Sequence, residues 1–319
     1  MVSKKIRRLV YELSQNSRIK TKDLGKKIKT SQQSASYLIS SLKSRKVILG
    51  YNTIIDPAKF GFISILVYYN FEDFSARNIN EIISFLKNND SVVNIKQLSQ
   101  GYDLACVFCV PNLSNFNKIN RDFLQNFKKK VFVAEIFPIM VKHMYPKSYL
   151  VLRRCSDEMI ICGDRDVAEM SEREKRIAGL LHKNASLKIL DIAKKLKLNP
   201  KTITKLKKRL EDKRIIRGYS IIWNYKSLGI NRKQILIDSK DLSLKDDRKL
   251  LDFAKAHPNI TSFTRLIGKY DLLIEAEGEN LTQRDVLKEL RSEFEIKRFR
   301  VLEEDVILKD KFIPSMVFN

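Results

Sequence analysis

Cysteine and histidine are the side chains in this sequence best suited to metal or nucleophilic chemistry, and their spacing supports neither. Cys106-x-x-Cys109 has the spacing of half a zinc site, with Cys155 and Cys162 as a candidate second half. A closed zinc site needs convergent ligands. Leu104 to Val110 reads as a buried strand, however, and residues three apart on a strand point to opposite faces. The reading that remains is four small buried hydrophobes. Four cysteines in 319 residues do not make a disulfide framework either. Of the three histidines, His182 falls near the end of a first helix, where an exposed cation suits the helix dipole. His257 precedes Pro258 at another helix end, and His143 lies at the start of a connector. No nucleophile–base set assembles from these residues. The expectation is a non-enzyme with no catalytic residue, no metal and no cofactor.

The chemistry the sequence does offer is electrostatic. The formal net charge is +24, from 61 Lys+Arg against 37 Asp+Glu. Such a field attracts polyanions. Residues 1–50 hold 13 basic and 2 acidic residues, and residues 169–218 hold 16 and 6. These two windows carry +21 of the +24, so the excess sits in two patches. No stretch reaches the roughly 18 apolar residues needed to span a bilayer. No signal-peptide apolar block follows the basic Met1–Arg8, so a cytoplasmic location and no membrane partner are expected.

The two patches are one segment seen twice. A shift of 168 residues sets Gly50-Tyr51 on Gly218-Tyr219, Gly61 on Gly229, and Tyr102-Asp103 on Tyr270-Asp271. It also sets Leu9, Leu13, Leu38 and Leu42 on Ile177, Leu181, Leu206 and Leu210. Each copy opens with three helices. Ile6, Leu9, Val10 and Leu13 form the helical stripe i, i+3, i+4, i+7. Thr21 is a candidate cap for the second helix and Ser31 for the third. In the second copy, Asn199-Pro200 supplies a cap followed by proline at the first helical position. A β-rich run with a glycine follows each third helix, which is the winged helix-turn-helix plan.

The remainder of each copy alternates strand and helix as βαββαβ, the ferredoxin-like order. The first copy is expected to have strands 63–71, 92–99, 102–110 and 131–140, with helices 78–88 and 113–127. The second is expected to have strands 233–239, 260–267, 270–277 and 296–308, with helices 244–256 and 281–293. Residues 141–168 read as a connector, punctuated by Pro146 and Gly163, in which Tyr149–Leu152 could add a strand. The fold class is therefore α+β, in two tandem units, each a winged helix-turn-helix followed by a βαββαβ ferredoxin-like sandwich. The expected domains are 1–60, 61–140, a connector 141–168, 169–228 and 229–319.

This arrangement resembles the Lrp/AsnC family of transcription regulators. Leu198 to Glu211, followed by Ile215-Ile216-Arg217-Gly218-Tyr219, is similar to the family's recognition helix and the strand after it. Ile267-Gly268-Lys269-Tyr270-Asp271 is similar to its sensor-domain hairpin. The first unit departs from the pattern. Gln32 replaces the proline at the helix start, and Lys29 and Thr30 replace the apolar residue of the turn. Family members usually carry one unit per chain and pair through their sensor domains. The resemblance thus implies that one chain supplies both halves of a pair, and it adds further self-association through the ferredoxin-like domains as a partner expectation. It also implies double-stranded DNA as partner and a small-molecule effector such as an amino acid. The hairpin residues Gly101, Tyr102, Asp103, Gly268, Tyr270 and Asp271 are the effector candidates.

In a helix-turn-helix, the third helix enters the major groove. With its buried face assigned, the 3.6-residue period fixes the other. In unit one that face is Gln32, Gln33, Ser34, Ser36 and Tyr37, with Ser40 and Ser41 after them, then Lys43 and Arg45. In unit two it is Lys201, Thr202, Thr204, Lys205, Lys208 and Arg209. Glutamine can pair bidentately with adenine, whereas lysine and arginine mainly hold phosphates. Unit one thus suits base readout and unit two backbone grip. Two other functions are weighed against a sequence-specific regulator. One is an architectural DNA-coating protein of low specificity, which the charge and the lysine-rich second helix would also fit. The other is an enzyme like the sirohaem decarboxylases, which share the tandem architecture and use histidine and arginine near the tetrapyrrole carboxylates. Tyr51–Gly61 and Tyr219–Gly229 contain no histidine.

Overall fold

The computed structural model describes residues 3–152, 157–239, 241–279 and 286–318. One series of elements runs through it twice. The first is α1 (Lys4–Gln15), α2 (Thr21–Lys27), α3 (Gln32–Ser44), β1 (Ile48–Ile55), β2 (Ile63–Phe71), α4 (Ala76–Asn88), β3 (Val92–Gln100), β4 (Leu104–Val110), α5 (Leu113–Asn126) and β5 (Val131–Met144). A short strand β6 (Met159–Ile161) follows in the connector. The second series is α6 (Glu172–Lys183), α7 (Ile189–Leu196), α8 (Pro200–Asp212), β7 (Ile216–Trp223), β8 (Asn231–Asp238), α9 (Leu244–Ala256), β9 (Ile260–Leu266), β10 (Leu272–Gly278), α10 (Val286–Glu293) and β11 (Arg298–Asp310).

The repeat reaches the backbone itself. Lys29, Lys46, Lys197 and Arg214 all adopt left-handed conformations, with φ of 55°, 55°, 52° and 56°. These are two pairs 168 residues apart, at the helix-turn-helix turn and just after the third helix. A side chain tolerates this region only at a steric cost, so its recurrence marks the same turn built twice.

Local caps follow the residues that can make them. The Ser31 hydroxyl accepts the Ser34 N–H at 3.1 Å, and the Asn199 side chain accepts the Lys201 N–H at 2.8 Å. Ser171 and Glu174 form a reciprocal capping box on α6. Thr21 does not cap α2: it is the first helical residue, Lys20 holds the cap position, and no side chain bonds there. In the connector, Ser148–Leu150 is a 3-10 turn rather than a strand, and the added strand is β6. Cys155 and residues 281–285 of the expected helix 281–293 lie outside the described residues.

The β-rich run after each third helix does not fold back on its own unit as a wing hairpin would. β1 pairs antiparallel with β7, its counterpart from the other unit, with Thr53 opposite Tyr219. A strand with an open edge seeks a partner, and the duplicated chain provides one.

The two ferredoxin-like sheets join edge to edge. The order is β2-β4-β3-β11-β8-β10-β9-β5, and β5 also pairs with β2, which closes the ring; β6 attaches to β5. The closure depends on β5 and β11, which are long. β5 pairs with β2 through residues 131–139 and with β9 through residues 139–144. β11 pairs with β8 through residues 298–303 and with β3 through residues 303–310. Alternation along the strands then divides the molecule. Ile65, Val67, Tyr69 and Phe71 point outward under α4 and α5, and Ile235, Ile237, Leu272 and Ile274 do so in the second unit's outer core. Leu66, Tyr68, Phe137, Leu236, Leu273 and Leu302 point inward and meet across the seam between units.

Candidate nucleic-acid interface

The third helices present the faces that the period assigns to solvent. On α3, Ala35 and Leu42 are buried, while Gln32, Gln33, Ser34, Ser36, Tyr37, Lys43 and Arg45 are all exposed. Tyr37 is the extreme case at 73% exposure, a large aromatic with no core to justify it. On α8, Ile203 and Leu210 are buried. Lys201, Thr204, Lys205, Lys208 and Arg209 are exposed, and Thr202 is half-buried. Some of these groups already have internal partners. The Thr204 hydroxyl donates to the Pro200 carbonyl at 3.0 Å, and Arg209 lies 3.4 Å from the buried Glu174 carboxylate. Lys43 sits over the Tyr51 ring, 4.8 Å from its centroid.

The strand pair β1–β7 fixes the two helix-turn-helix bodies to one another. Ile221 and Trp223 of β7 pack into the core of α1–α3, and Ile55 of β1 packs into the core of α6–α8. Each body is thus completed by the other unit's strand. The Ser17 N–H donates to the Tyr219 carbonyl at 2.9 Å, and the Thr53 hydroxyl to the Leu181 carbonyl at 2.7 Å. Arg18 donates to the Ala185 carbonyl at 2.5 Å.

The six hairpin residues lie elsewhere, in the seam of the barrel. Tyr102 and Tyr270 are buried there. A Cβ on Gly101 would stand 2.2 Å from Leu302, and one on Gly268 would stand 2.7 Å from Phe137. Each hairpin therefore needs glycine to approach the other unit. Asp103 accepts the Phe71 N–H and Asp271 the Ser239 N–H, both at 2.7 Å, which brace the two sheets alike. Cys106 belongs to the outer core and Cys109 to the core around α6–α8, so the two diverge as the strand alternation requires. Burial pushes both thiols up.

Sequence reasoning missed a second site. A cavity of about 310 Å³ opens between the barrel interior and the β1–β7 pair. Six lining residues, joined through Glu304 behind them, form a chain of alternating charges: Lys142, Glu275, Lys96, Glu304, Arg232, Glu277, Lys147. Glu275 pairs with Lys142 at 2.6 Å and with Lys96. Lys96 reaches Glu304 at 2.6 Å, and Glu304 lies 2.6 Å from Arg232. Arg232 donates to Glu277 at 3.0 Å, and Glu277 pairs with Lys147 at 2.6 Å. The Ser262 hydroxyl donates to Glu275, Gln234 to Glu304 at 2.6 Å, and the Tyr149 hydroxyl to Glu277 at 2.7 Å. Burial opposes ionisation of Glu275, but Lys142, Lys96 and Arg232 outweigh it and hold the carboxyl well below its usual range. Burial also opposes the Lys96 charge, and Glu275 and Glu304 raise it nonetheless. Lys147 behaves differently: burial wins and lowers its ammonium. The signal was present in the sequence as charges placed every second residue in otherwise apolar strands, as in Leu273-Ile274-Glu275-Ala276-Glu277.

Among the described residues no helix is long and apolar enough to cross a membrane. No family model matches the chain. An HTH-type transcriptional regulator of Pyrococcus abyssi is 24% identical over 131 residues, covering 40% of this chain and 84% of that protein. The HTH-type transcriptional regulator Ptr1 of Methanocaldococcus jannaschii is 24% identical over 108 residues, 33% of this chain and 70% of that protein. Each match therefore has about the length of one unit. Among solved structures, the siroheme decarboxylase NirDL superposes with a TM-score of 0.61 at 14% identity, covering 98% of this chain and 97% of that one. At that identity the likeness is one of fold. The chain thus shares its tandem fold with that protein, and part of it is similar in sequence to HTH-type transcriptional regulators.

Proposed function

We propose that this protein is a double-stranded-DNA-binding transcription regulator in which one chain provides both recognition helices of a pair. The observation that carries the reading is the coincidence of charge and geometry. The two basic windows map onto the two helix-turn-helix bodies, and the third helix of each leaves its polar face exposed. The similarity to helix-turn-helix regulators supports the same conclusion. α3 would read base edges through Gln32 and Gln33, and α8 would grip phosphates through Lys201, Lys205 and Lys208. Because the helices differ, the target would be two unlike half-sites about one helical turn apart, or a multiple of it.

Replacing Lys201, Lys205 and Lys208 together by alanine tests the reading. The expected outcome is a loss of duplex affinity on the order of 100-fold at physiological salt. The slope of log affinity against log salt should fall by about three. A folded variant that binds as tightly as the parent contradicts it. A regulator gives sharp peaks in genome-wide occupancy, and a coating protein gives an even carpet. The fold is shared with a tetrapyrrole enzyme, so an absorbance spectrum of the purified protein is the control: the regulator reading expects no tetrapyrrole band.

A further inference from the structure

We propose that the cavity between the barrel and the β1–β7 strand pair is a binding site for a small organic anion with an apolar body. Three observations carry this. The first is the arrangement of charge. The chain alternates in sign over seven residues and ends in a lysine on both sides, four cations against three carboxylates, while Asp157, Glu158, Asp310 and Lys311 line the cavity outside that chain. Among the described residues Lys142 and Lys147 each pair with one carboxylate, although an ammonium carries three donors, and Lys147 also lies over the rings of Trp223 and Tyr225. Their side chains keep 26% and 17% exposure, more than Lys96 at 9% in the middle of the chain. Burial lowers the Lys147 ammonium, and Glu277 offsets that only in part.

The second observation is that the fold does not require these charges. Sheet register identifies the matching positions in unit one. Leu66 opposite Val107 matches Gln234 opposite Glu275, and Ser64 opposite Cys109 matches Arg232 opposite Glu277. Ile139 opposite Leu266 matches Glu304 opposite Leu98. Apolar or small residues therefore fill the same places on the other wall. Buried ion pairs are often no more stabilising than apolar residues of similar volume, so charges kept at only one of each pair of matching positions point to use.

The third observation is the shape and makeup of the space. Its volume falls at the lower end of the range for small-molecule sites. Leu66, Val107, Ile139, Ile221 and Trp223 form apolar walls facing the charged one. Two lining residues also carry buried polar atoms without a hydrogen-bond partner, Asn52 Oδ1 and Thr264 Oγ1. An anionic head would bond an end lysine while its body lies along the apolar walls. Because Asn52 and Ile221 belong to β1 and β7, the occupant would touch the strands that carry the recognition helices.

The test is calorimetric titration of the full chain, without DNA and at low salt, with octanoate, octan-1-ol and octylammonium. Octanoate should saturate one site per chain, with at least tenfold higher affinity than either of the others. Lys142→Met should weaken octanoate at least tenfold, whereas Lys118→Met, an exposed lysine on α5, should not. Should Lys142→Met fail to fold, Val107→Phe fills the apolar wall and should exclude octanoate from a folded protein. The inference is overturned by no saturable octanoate binding, by equal binding of the alcohol or the amine, or by folded variants that bind as the parent does. No DNA is present, so this outcome is independent of the nucleic-acid reading.

Discussion

The two units of this chain share a backbone and differ in what they bury at the seam. On the inner face, unit one places Ser64, Leu66, Val107, Cys109 and Ile139 where unit two places Arg232, Gln234, Glu275, Glu277 and Glu304. The reverse holds on two other strands, where Lys96 and Lys142 of unit one match Thr264 and Ile307 of unit two. Two identical chains related by a two-fold axis would meet with the same residues on both sides. Joining the copies in one polypeptide frees each wall to change alone, so cations on one side can face carboxylates on the other. The third helices differ in the same way, with Gln and Ser on α3 and Lys and Thr on α8. Duplication here yields asymmetry at both the interior and the outer surface.

The sharpest way to break this comparison is to move one wall towards the other. Glu275→Leu leaves Lys96 and Lys142 without a shared carboxylate, which should cost about 3–5 kcal/mol of stability. Val107→Ala, at the matching position, should cost much less, about 1 kcal/mol, since it removes only packing. Adding Lys96→Met and Lys142→Met to Glu275→Leu should recover most of the loss, because no charge then stays unpaired. Urea melts of the four proteins check this, and equal losses at Glu275 and Val107 would erase the distinction between the walls.

The next contrast is titratable. His182 of α6 is 2% exposed, and its counterpart 168 residues earlier is Ser14. Burial first, then the nearby Lys311, push its imidazole down to about 4. The folded pKa lies below the unfolded value of about 6.5, so protons favour the unfolded chain. The stability linked to the neutral ring is present above about pH 6.5 and drains as the pH falls towards 4, by up to about 3 kcal/mol. Thermal melting of the parent should show that loss, and His182→Asn should flatten it.

The outer surface gives the smaller effects. Gln33→Ala should cost about 1–3 kcal/mol at an adenine in one half-site and little at other bases. Lys205→Ala should weaken all duplexes alike and reduce the salt slope by about one. Binding measured on a set of single-base variants separates the two behaviours. If both substitutions acted uniformly, the division between base readout and backbone grip would fall.

Much of this architecture is legible in the sequence because its signals are local. The Leu9–Leu13 stripe, the Asn199-Pro200 cap and the alternation in β2 each act over a few residues, and β2 and α9 occupy the predicted ranges 63–71 and 244–256. The 168-residue shift made the repeat visible without any fold. What stayed hidden depends on partners far apart in the chain. Nothing near Ile48–Ile55 says that its partner is Ile216–Trp223 rather than the next strand. The seam is obscured further because the shift shrinks by three residues after the central hairpin: Ile139 is matched by Glu304. Lys96 and Glu275 lie 179 residues apart, and only closure of the barrel brings them together. The exposed faces of α3 and α8 could be read from periodicity, since burial on one side of a helix fixes the other.

Selection of bound duplexes from a random pool, at a stated physiological salt, tests the central claim most directly. The account predicts enrichment of two unlike half-sites about one helical turn apart, or a multiple of it. Enrichment of a perfect palindrome, or no enrichment over the starting pool, would contradict it.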